Sequence, residues 1–475
     1  MKVKLLYIFT ILFISAFPFA NTFFKVFRGV SVSFFHLFER TASFTVTLPP
    51  LFQKYIHFHL TDFWIVGLLS AALLMKEVKV KELFFNRHSR YLTLFILAAF
   101  VSIFFSLFST YLTQYAALIN LTIASITFHL IYLLLSKRSE WIATALWLFI
   151  GVAALECLIG TGQFIFQKSL GLSFLSEPQV SPSMNNIAVY PLTETNRHFF
   201  DKLPWIQPNL SVVLRSHGTF DHPNIFGGYL VIALFISYYL FTQTTSRMKK
   251  GCLFALIPFL ILTLALTFSR GPFFAWVLGS LLFFSVGIFK KEKGVGQLAG
   301  LIGGAALITI FLLFQQFIAR GGFVNYTSLP SASDGDRIFY YKLASTLFAH
   351  HPFLGIGYNG FALFPYGSLD PSFAGANPMG ALAHNIYLQV ASETGLVGLS
   401  LMALFIFSLI IPPFKQRFSS LSLTLMTILF SLLLMGCVDH FLWTYNSGRT
   451  MLFIFCALLA AHVKVRECPS LSHSK

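Results

Sequence analysis

GCLFALIPFLILTLALTFSRGPFFAWVLGSLLFFSVGIF, residues 251–289, is the stretch that decides the fold. It contains two apolar blocks, 251–268 and 272–289, each long enough to cross about 30 Å of hydrocarbon as a helix. A single charged joint, Ser269-Arg270-Gly271, separates them. Arg247, Lys249 and Lys250 precede the pair, and Lys290, Lys291 and Lys293 follow it. Membranes retain Lys and Arg on the cytoplasmic side. The stretch therefore reads as a helical hairpin with cytoplasmic ends and Arg270 at the opposite, extracytoplasmic tip.

The same pattern extends in both directions. Spans are expected near residues 4–22, 60–75, 91–111, 114–136, 141–165, 224–243, 251–268, 272–289, 297–318, 395–412, 419–437 and 445–463. About twelve helices follow from the length rule. With 56% apolar and 11% charged residues, no stretch remains for a separate soluble domain, so residues 1–475 read as one integral all-α membrane domain. A transmembrane barrel would alternate polarity over segments of roughly ten residues, whereas these blocks are continuous in Leu, Phe and Ile. The opening residues, Met1-Lys2-Val3-Lys4 before a short apolar run, read as an uncleaved first helix, with a signal peptide as the alternative. Five cysteines lie mainly in or beside apolar runs without metal-type or disulfide spacing, and packing is their expected role.

Alternate connections carry the remaining basic residues: Lys76, Lys79, Lys81, Arg87 and Arg90; Lys137 and Arg138; Lys415 and Arg417; Lys464 and Arg466. Both termini are accordingly expected in the cytoplasm. The net charge of +16 is thus explained by topology, and no contiguous basic stripe suggests nucleic acid. The opposite face receives the two long connections, 166–223 and 319–394. There, against the bias, stand Arg215, His222, Arg270, Arg320, Arg337, His350, His351 and His384. An ionisable residue at the depth of Arg270 is costly unless it is paired, serves a ligand or snorkels to the interface.

Three segments, in this order, resemble the O-antigen ligase (WaaL-type) family, which also contains Wzy-type polymerases. The first is Arg215-Ser-His-Gly-Thr-Phe-Asp-His222-Pro-Asn224 running into Phe226-Gly-Gly-Tyr-Leu230. The second is Ser269-Arg270-Gly271. The third comprises Asp336-Arg337, then His351-Pro-Phe-Leu-Gly355-Ile-Gly357, then Ala383-His384-Asn385-Ile-Tyr-Leu and Glu393-Thr-Gly395-Leu396. The resemblance covers roughly residues 210–400. It implies a metal-independent membrane glycosyltransferase of the bacterial inner membrane, without a cofactor. Such an enzyme moves a glycan from an undecaprenyl diphosphate carrier to an acceptor hydroxyl on the periplasmic face. The acceptor is lipid A core in a ligase and another glycan repeat in a polymerase. The His-Asn pattern at 384–385 leans toward a ligase.

That chemistry demands groups that hold a lipid diphosphate and stabilise the charge it gains as the sugar departs. Arginine suits the task, because its planar fork gives paired hydrogen bonds to phosphate oxygens and stays charged. Arg215, Arg270 and Arg337 fall on the family's motif positions and are the candidates, with Arg320 in support or acting as an interfacial anchor. Lys342 and Arg449 are assigned to solvation or to pairing, for instance Arg449 with Asp439. The acceptor hydroxyl needs a proton acceptor near neutral pH. The resemblance gives that role to His384, and a helix-start histidine bonded to backbone is the structural alternative. His222, held extended before Pro223, is read as shaping the Arg215 loop, with Asn224 and Asn385 in support. His350 and His351 read as a turn into Gly355 and Gly357.

No HExxH-type cluster or phosphate-binding glycine loop occurs, and Asp334-Gly-Asp336 reads as a loop beside Arg337. A connection as long as 319–394 is uncommon without a function. Its stretch from Ile338 has helical apolar spacing and is expected to form an amphipathic helix roofing the site. A twelve-helix transporter or lipid flippase is the competing class. It calls for charged or broken helices at the bilayer midplane, whereas the polar groups here gather at one face.

Overall fold

In hydrocarbon every backbone amide must find its partner within its own segment, so apolar blocks of this length fold as helices. The computed structural model describes residues 2–20, 23–25, 32–33, 43–44, 57–84, 86, 88–106, 111–184, 187–192, 197, 200–202, 211–291, 294–320, 332–364, 382–415 and 418–467. Fifteen α-helices occur among them. They are α1 (Lys2–Ala16), α2 (Leu60–Leu74), α3 (Val80–Phe84), α4 (Ser89–Phe104), α5 (Tyr111–Lys137), α6 (Glu140–Phe166), α7 (Pro223–Gln243), α8 (Arg247–Leu266), α9 (Arg270–Phe289), α10 (Val295–Arg320), α11 (Ala332–His350), α12 (Ile386–Lys415), α13 (Ser420–Gly436), α14 (Phe441–Thr444) and α15 (Asn446–Glu467). Eight are long and apolar enough to cross a membrane, and four shorter apolar helices stand beside them. The chain is a polytopic helical membrane protein. The side chains of Arg320, Asp334 and Asp336, and residues Arg87, Lys293, Arg417 and Cys468, lie outside the described residues.

Burial ranks the helices. The spans at Pro223–Gln243 and Asn446–Arg466 are 89% and 83% buried, against 39% for Arg270–Phe289 and Ile386–Phe414. Helix α7 is therefore the central post of the bundle and α9 a peripheral one. Exposed Phe274, Leu281, Ile288 and Phe289 on α9 suit contact with lipid tails. The core is continuous through Tyr229, Phe235, Phe149 and Phe455, with Phe149 against both Tyr229 and Phe455. Starts are marked by local chemistry. Ser246 and Ser419 accept the amides of Lys249 and Ser422 as N-caps, and Pro223 opens α7 where its missing N–H is harmless. Of the four cysteines described, Cys157 and Cys456 are buried as packing residues should be, whereas Cys252 and Cys437 are exposed.

Two features differ from the sequence reading. Helix α12 opens at Ile386, just after His384, and runs into the span expected from 395, but it is broken between the two at Gly395 (φ 65°, ψ −165°). The turn 352–357 plugs the break. Ile356 and Gly357 amides donate to the Ser392 and Glu393 carbonyls, and Leu396 and Val397 amides donate to Pro352 and Phe353. A Cβ at Gly395 would run into the Phe353 carbonyl. Gly395→Ala is therefore expected to cost about 3 kcal/mol or more, from a backbone region nearly restricted to glycine plus the overlap. A fall in the melting temperature of the purified protein checks this; an unchanged melting curve counts against the plugged break. Second, the spans are not free of buried polar groups. Glu156 of α6 is fully buried, and its carboxylate accepts the Thr219 amide at 2.9 Å and hydroxyl at 2.5 Å. It anchors the 215–222 segment inside the bundle.

The long second connection carries its own small core. Leu343, Ala344 and Leu347 on one face of α11 pack with Ile356, Phe361, Phe364 and Ala383, while Lys342, Ser345 and His350 on the other face are exposed. The apolar spacing from Ile338 onward does form an amphipathic helix.

Candidate active site

The 215–222 segment is the foundation of the site. Gln163 of α6 donates to the Gly218 carbonyl at 2.8 Å and accepts the His217 amide at 3.1 Å, and Ser216 Oγ donates to the Gly160 carbonyl. Arg215, 4% exposed, then reaches across the α8–α9 joint. Its Nε donates to the Thr267 carbonyl at 2.7 Å, and its Nη2 to Asn224 Oδ1 at 2.9 Å and Ser269 Oγ at 3.0 Å. Ser269 Oγ also lies 2.9 Å from Asn224 Oδ1. This network fixes the turn in which Phe268 adopts φ 48°, and the turn presents Arg270 as the first residue of α9.

Asn224 passes the network to the far side of the bundle. Its Nδ2 donates to Asp439 Oδ2 at 2.6 Å, and Asp439 Oδ1 accepts the amides of His440 at 2.7 Å and Phe441 at 3.2 Å. The expected pairing of Arg449 with Asp439 is thereby corrected. Asp439 is consumed by Asn224 and two backbone amides, while Arg449 donates to the Trp443 carbonyl and lines a different cavity.

These elements enclose a cavity of about 440 Å³ lined by Arg215, His222, Asn224, Arg270, Gly271, Arg337, Tyr340, His384, Val438, Asp439, His440, Phe441 and Tyr445. Six residues singled out from sequence, Arg215, His222, Asn224, Arg270, Arg337 and His384, thus meet at one place. Asn385 stands outside the cavity lining, and the Arg320 side chain lies outside the described residues. Arg320 ends α10, and Asn385 acts locally, its Oδ1 accepting the Leu388 amide and its Nδ2 donating to the Cys437 carbonyl. Tyr340, Asp439, His440 and Tyr445 were missed. The only sequence signal for the Asp-His pair was its position in an outward joint. The cavity lies where α7, α9 and α12 begin and α8 and α13 end. It is thus at the bundle end opposite Lys137, Arg247, Lys290 and Lys464.

The electrostatics favour an anion. Three helices, α7, α9 and α12, start at the cavity, each adding the partial positive charge of its unpaired amides. Of the arginines, Arg215 has Nε and Nη2 committed to protein, whereas the buried Nε of Arg337 meets no hydrogen-bond partner among the described residues. Arg270 is exposed at the rim. Burial pushes Asp439 up, but His440, His222, the Asn224 amide and Arg337 outweigh it and hold the carboxyl below its ordinary range. Burial, with Arg215 adding to it, pushes His222 down to about 3. His222 Nδ1 accepts the Asn224 amide at 3.1 Å, which confirms that this nitrogen is bare. Burial also brings His217 and His440 down to about 4.

His384 is held differently. It sits at φ 49°, and its Nδ1 lies 2.7 Å from the Leu382 carbonyl. A carbonyl only accepts, so in the neutral ring Nδ1 carries the proton and Nε2 keeps its lone pair. The ring packs edge-on against His440 at 4.8 Å and near Tyr340 at 6.3 Å. Among the described residues, no group of three or more His, Cys, Asp or Glu is placed to hold a metal ion.

The depressed histidines set a pH dependence. His217 is neutral in the fold, whereas the unfolded imidazole protonates below its ordinary 6.5. The unfolded chain then binds more protons, so stability is full above about pH 6.5 and is lost as pH falls toward 4. Between pH 7.5 and 5, His217 alone is expected to account for about 2 kcal/mol. The melting temperature in lipid nanodiscs should fall over this range and fall less in His217→Gln; identical slopes would refute the assignment.

Residues 254–403 match the O-antigen ligase family model, which bears out the resemblance carried by the motifs. The match begins within α8, ends within α12, and includes Arg270, Arg337 and His384. Arg215, His222, Asn224, Asp439 and His440 fall outside it. No curated protein matches the chain. The family match supports a membrane enzyme of the glycan ligase or polymerase type.

Proposed function

We propose that this chain transfers a glycan from an undecaprenyl diphosphate carrier to an acceptor hydroxyl on the periplasmic face of the bacterial inner membrane, and that the acceptor is lipid A core. The observation that carries the reading is the meeting of Arg215, Arg270, Arg337 and a histidine with a bare Nε2 on one cavity at the bundle end opposite the basic connections. Arg270 and Arg337 hold the diphosphate, Arg337 through the Nε that meets no partner among the described residues, and the α9 amides add to them. Arg215 contributes charge and fixes the joint that aims Arg270.

In the transfer step the acceptor oxygen attacks the anomeric carbon, and the bond from that carbon to the diphosphate oxygen breaks. The electron pair leaves with the diphosphate, and the acceptor proton passes to His384 Nε2. The arginines and helix N-termini act where negative charge grows, which is the condition for lowering the barrier rather than only binding substrate. Asp439 remains a carboxylate because Asn224 and two amides hold it, and it orients the His440 wall.

Deletion of the gene, followed by a gel of surface glycolipid, tests the reading. Loss of a ligase leaves core without polymer while polymer accumulates on the carrier lipid. Loss of a polymerase, the second reading because the family includes both, leaves single repeats on core. Surface glycolipid identical to the parent's would refute both.

A further inference from the structure

A second polar cavity, of about 290 Å³, lies behind the histidine wall and is lined by Asn120, Tyr358, Asn359, Gln389, Trp443 and Arg449 among others. Its polar groups are unusually unsatisfied. Arg449 and Trp443 are each only 6% exposed, yet Arg449 Nε, Trp443 Nε1 and Asn120 Oδ1 meet no hydrogen-bond partner among the described residues. Leaving such buried groups unpaired is costly, a cost that a ligand recovers. The walls also bring a guanidinium and a carboxyl group together. Glu393 faces the same cavity as Arg449, and its carboxylate already accepts the Phe361 amide at 3.2 Å and the Gln389 amide group at 2.6 Å. An anion would gain from Arg449 but face the carboxyl oxygens of Glu393 on the other wall.

What remains is a demand for two acceptors and one donor beside two aromatic rings, Tyr358 and Trp443, packed edge-to-face. Hydroxyl groups meet it, since each both donates and accepts, and the C–H face of a sugar ring packs on Trp or Tyr. The volume lies just below the usual small-molecule range of about 300–1,000 Å³, which gives room for one sugar ring rather than a chain. The position is equally informative. His440 lines the arginine cavity, and its Nδ1 lies 2.6 Å from the hydroxyl of Thr444, which lines the second cavity. Leu382, whose carbonyl holds His384, lines the second cavity too. The shared wall is therefore the histidine side, where the acceptor must arrive, and neither Arg215 nor Arg270 borders the second cavity.

We infer that this second cavity is an acceptor subsite that binds one sugar ring of the acceptor glycan and so presents the reactive hydroxyl to His384; the acceptor role rests on the transfer reaction proposed above. Saturation-transfer NMR on the full-length protein in nanodiscs tests it, with lipopolysaccharide core oligosaccharide, galactose, glucose and N-acetylglucosamine as probes. The expected result is saturable sugar contact that survives Arg270→Ala and weakens about tenfold or more in Asn120→Leu and Arg449→Gln. Asn120 is only partly buried, so its variant carries the test should Arg449→Gln fail to fold. In a transfer assay the same variants should raise the acceptor KM about tenfold and leave the donor KM within about twofold. No sugar contact in the wild type, contact unchanged in both variants, or an effect falling on the donor KM would overturn the inference. Sugar contact with this variant pattern in a protein that transfers no glycan would sink the transfer reaction while leaving the sugar pocket standing.

Discussion

Arg270→Ala is expected to lower glycan transfer from the lipid diphosphate by about 100- to 1,000-fold, the usual effect of removing one preorganised donor from a charge-stabilising site. The side chain is exposed at the cavity rim, so the variant should melt at the wild-type temperature. Arg215→Ala is the informative contrast. Arg215 is buried and donates to Thr267, Asn224 and Ser269, so its loss should reduce both transfer and thermal stability. Arg270→Lys should recover only part of the rate, because an ammonium restores the charge but not the paired fork. Turnover of labelled lipid diphosphate by purified protein, read beside a melting curve, separates these outcomes. An Arg270→Ala enzyme within about threefold of wild type would remove Arg270 from the transition state.

The fold was legible because membrane insertion writes itself into sequence. Apolar blocks predict twelve spans, and a helix stands at each, eight of them long and apolar enough to cross a membrane, since hydrocarbon leaves the backbone no alternative. The break in α12 was hidden for a specific reason. Gly395 breaks the helix, and the turn at 352–357 supplies the backbone partners, a long-range arrangement with no periodic signature. The site was half legible. Arg270 stood out because charge in a hairpin tip is costly, and the motif order brought Arg215, Arg337 and His384 with it. Asp439 and His440 gave no such signal, because an Asp-His pair in an outward joint looks like solvated loop. Their role depends on Asn224 lying 215 residues earlier in the chain. The same limit misdirected Arg449, which charge complementarity paired with Asp439 although the fold turns it toward Trp443.

His384→Ala is expected to cost about 100- to 10,000-fold in transfer, the span typical of a general base, with donor binding unchanged. His440 is the obvious substitute, its ring centred 4.8 Å away. Burial, with His384 and Arg337 adding to it, pushes His440 down to about 4, which leaves it a poor base. It also keeps Nδ1 against Thr444, so rescue should be small. A purely structural role for His384 makes a different prediction. At φ 49° the residue lies in a conformation that asparagine tolerates well, so His384→Asn should keep the turn and the melting temperature. Were His384 only a helix-start residue bonded to Leu382, that variant would stay active. As the proton acceptor through Nε2, it should leave a folded protein that binds lipid diphosphate and does not transfer. Single-turnover rates with saturating donor decide between the two, and a His384→Asn rate above about a tenth of wild type would return this histidine to a structural role.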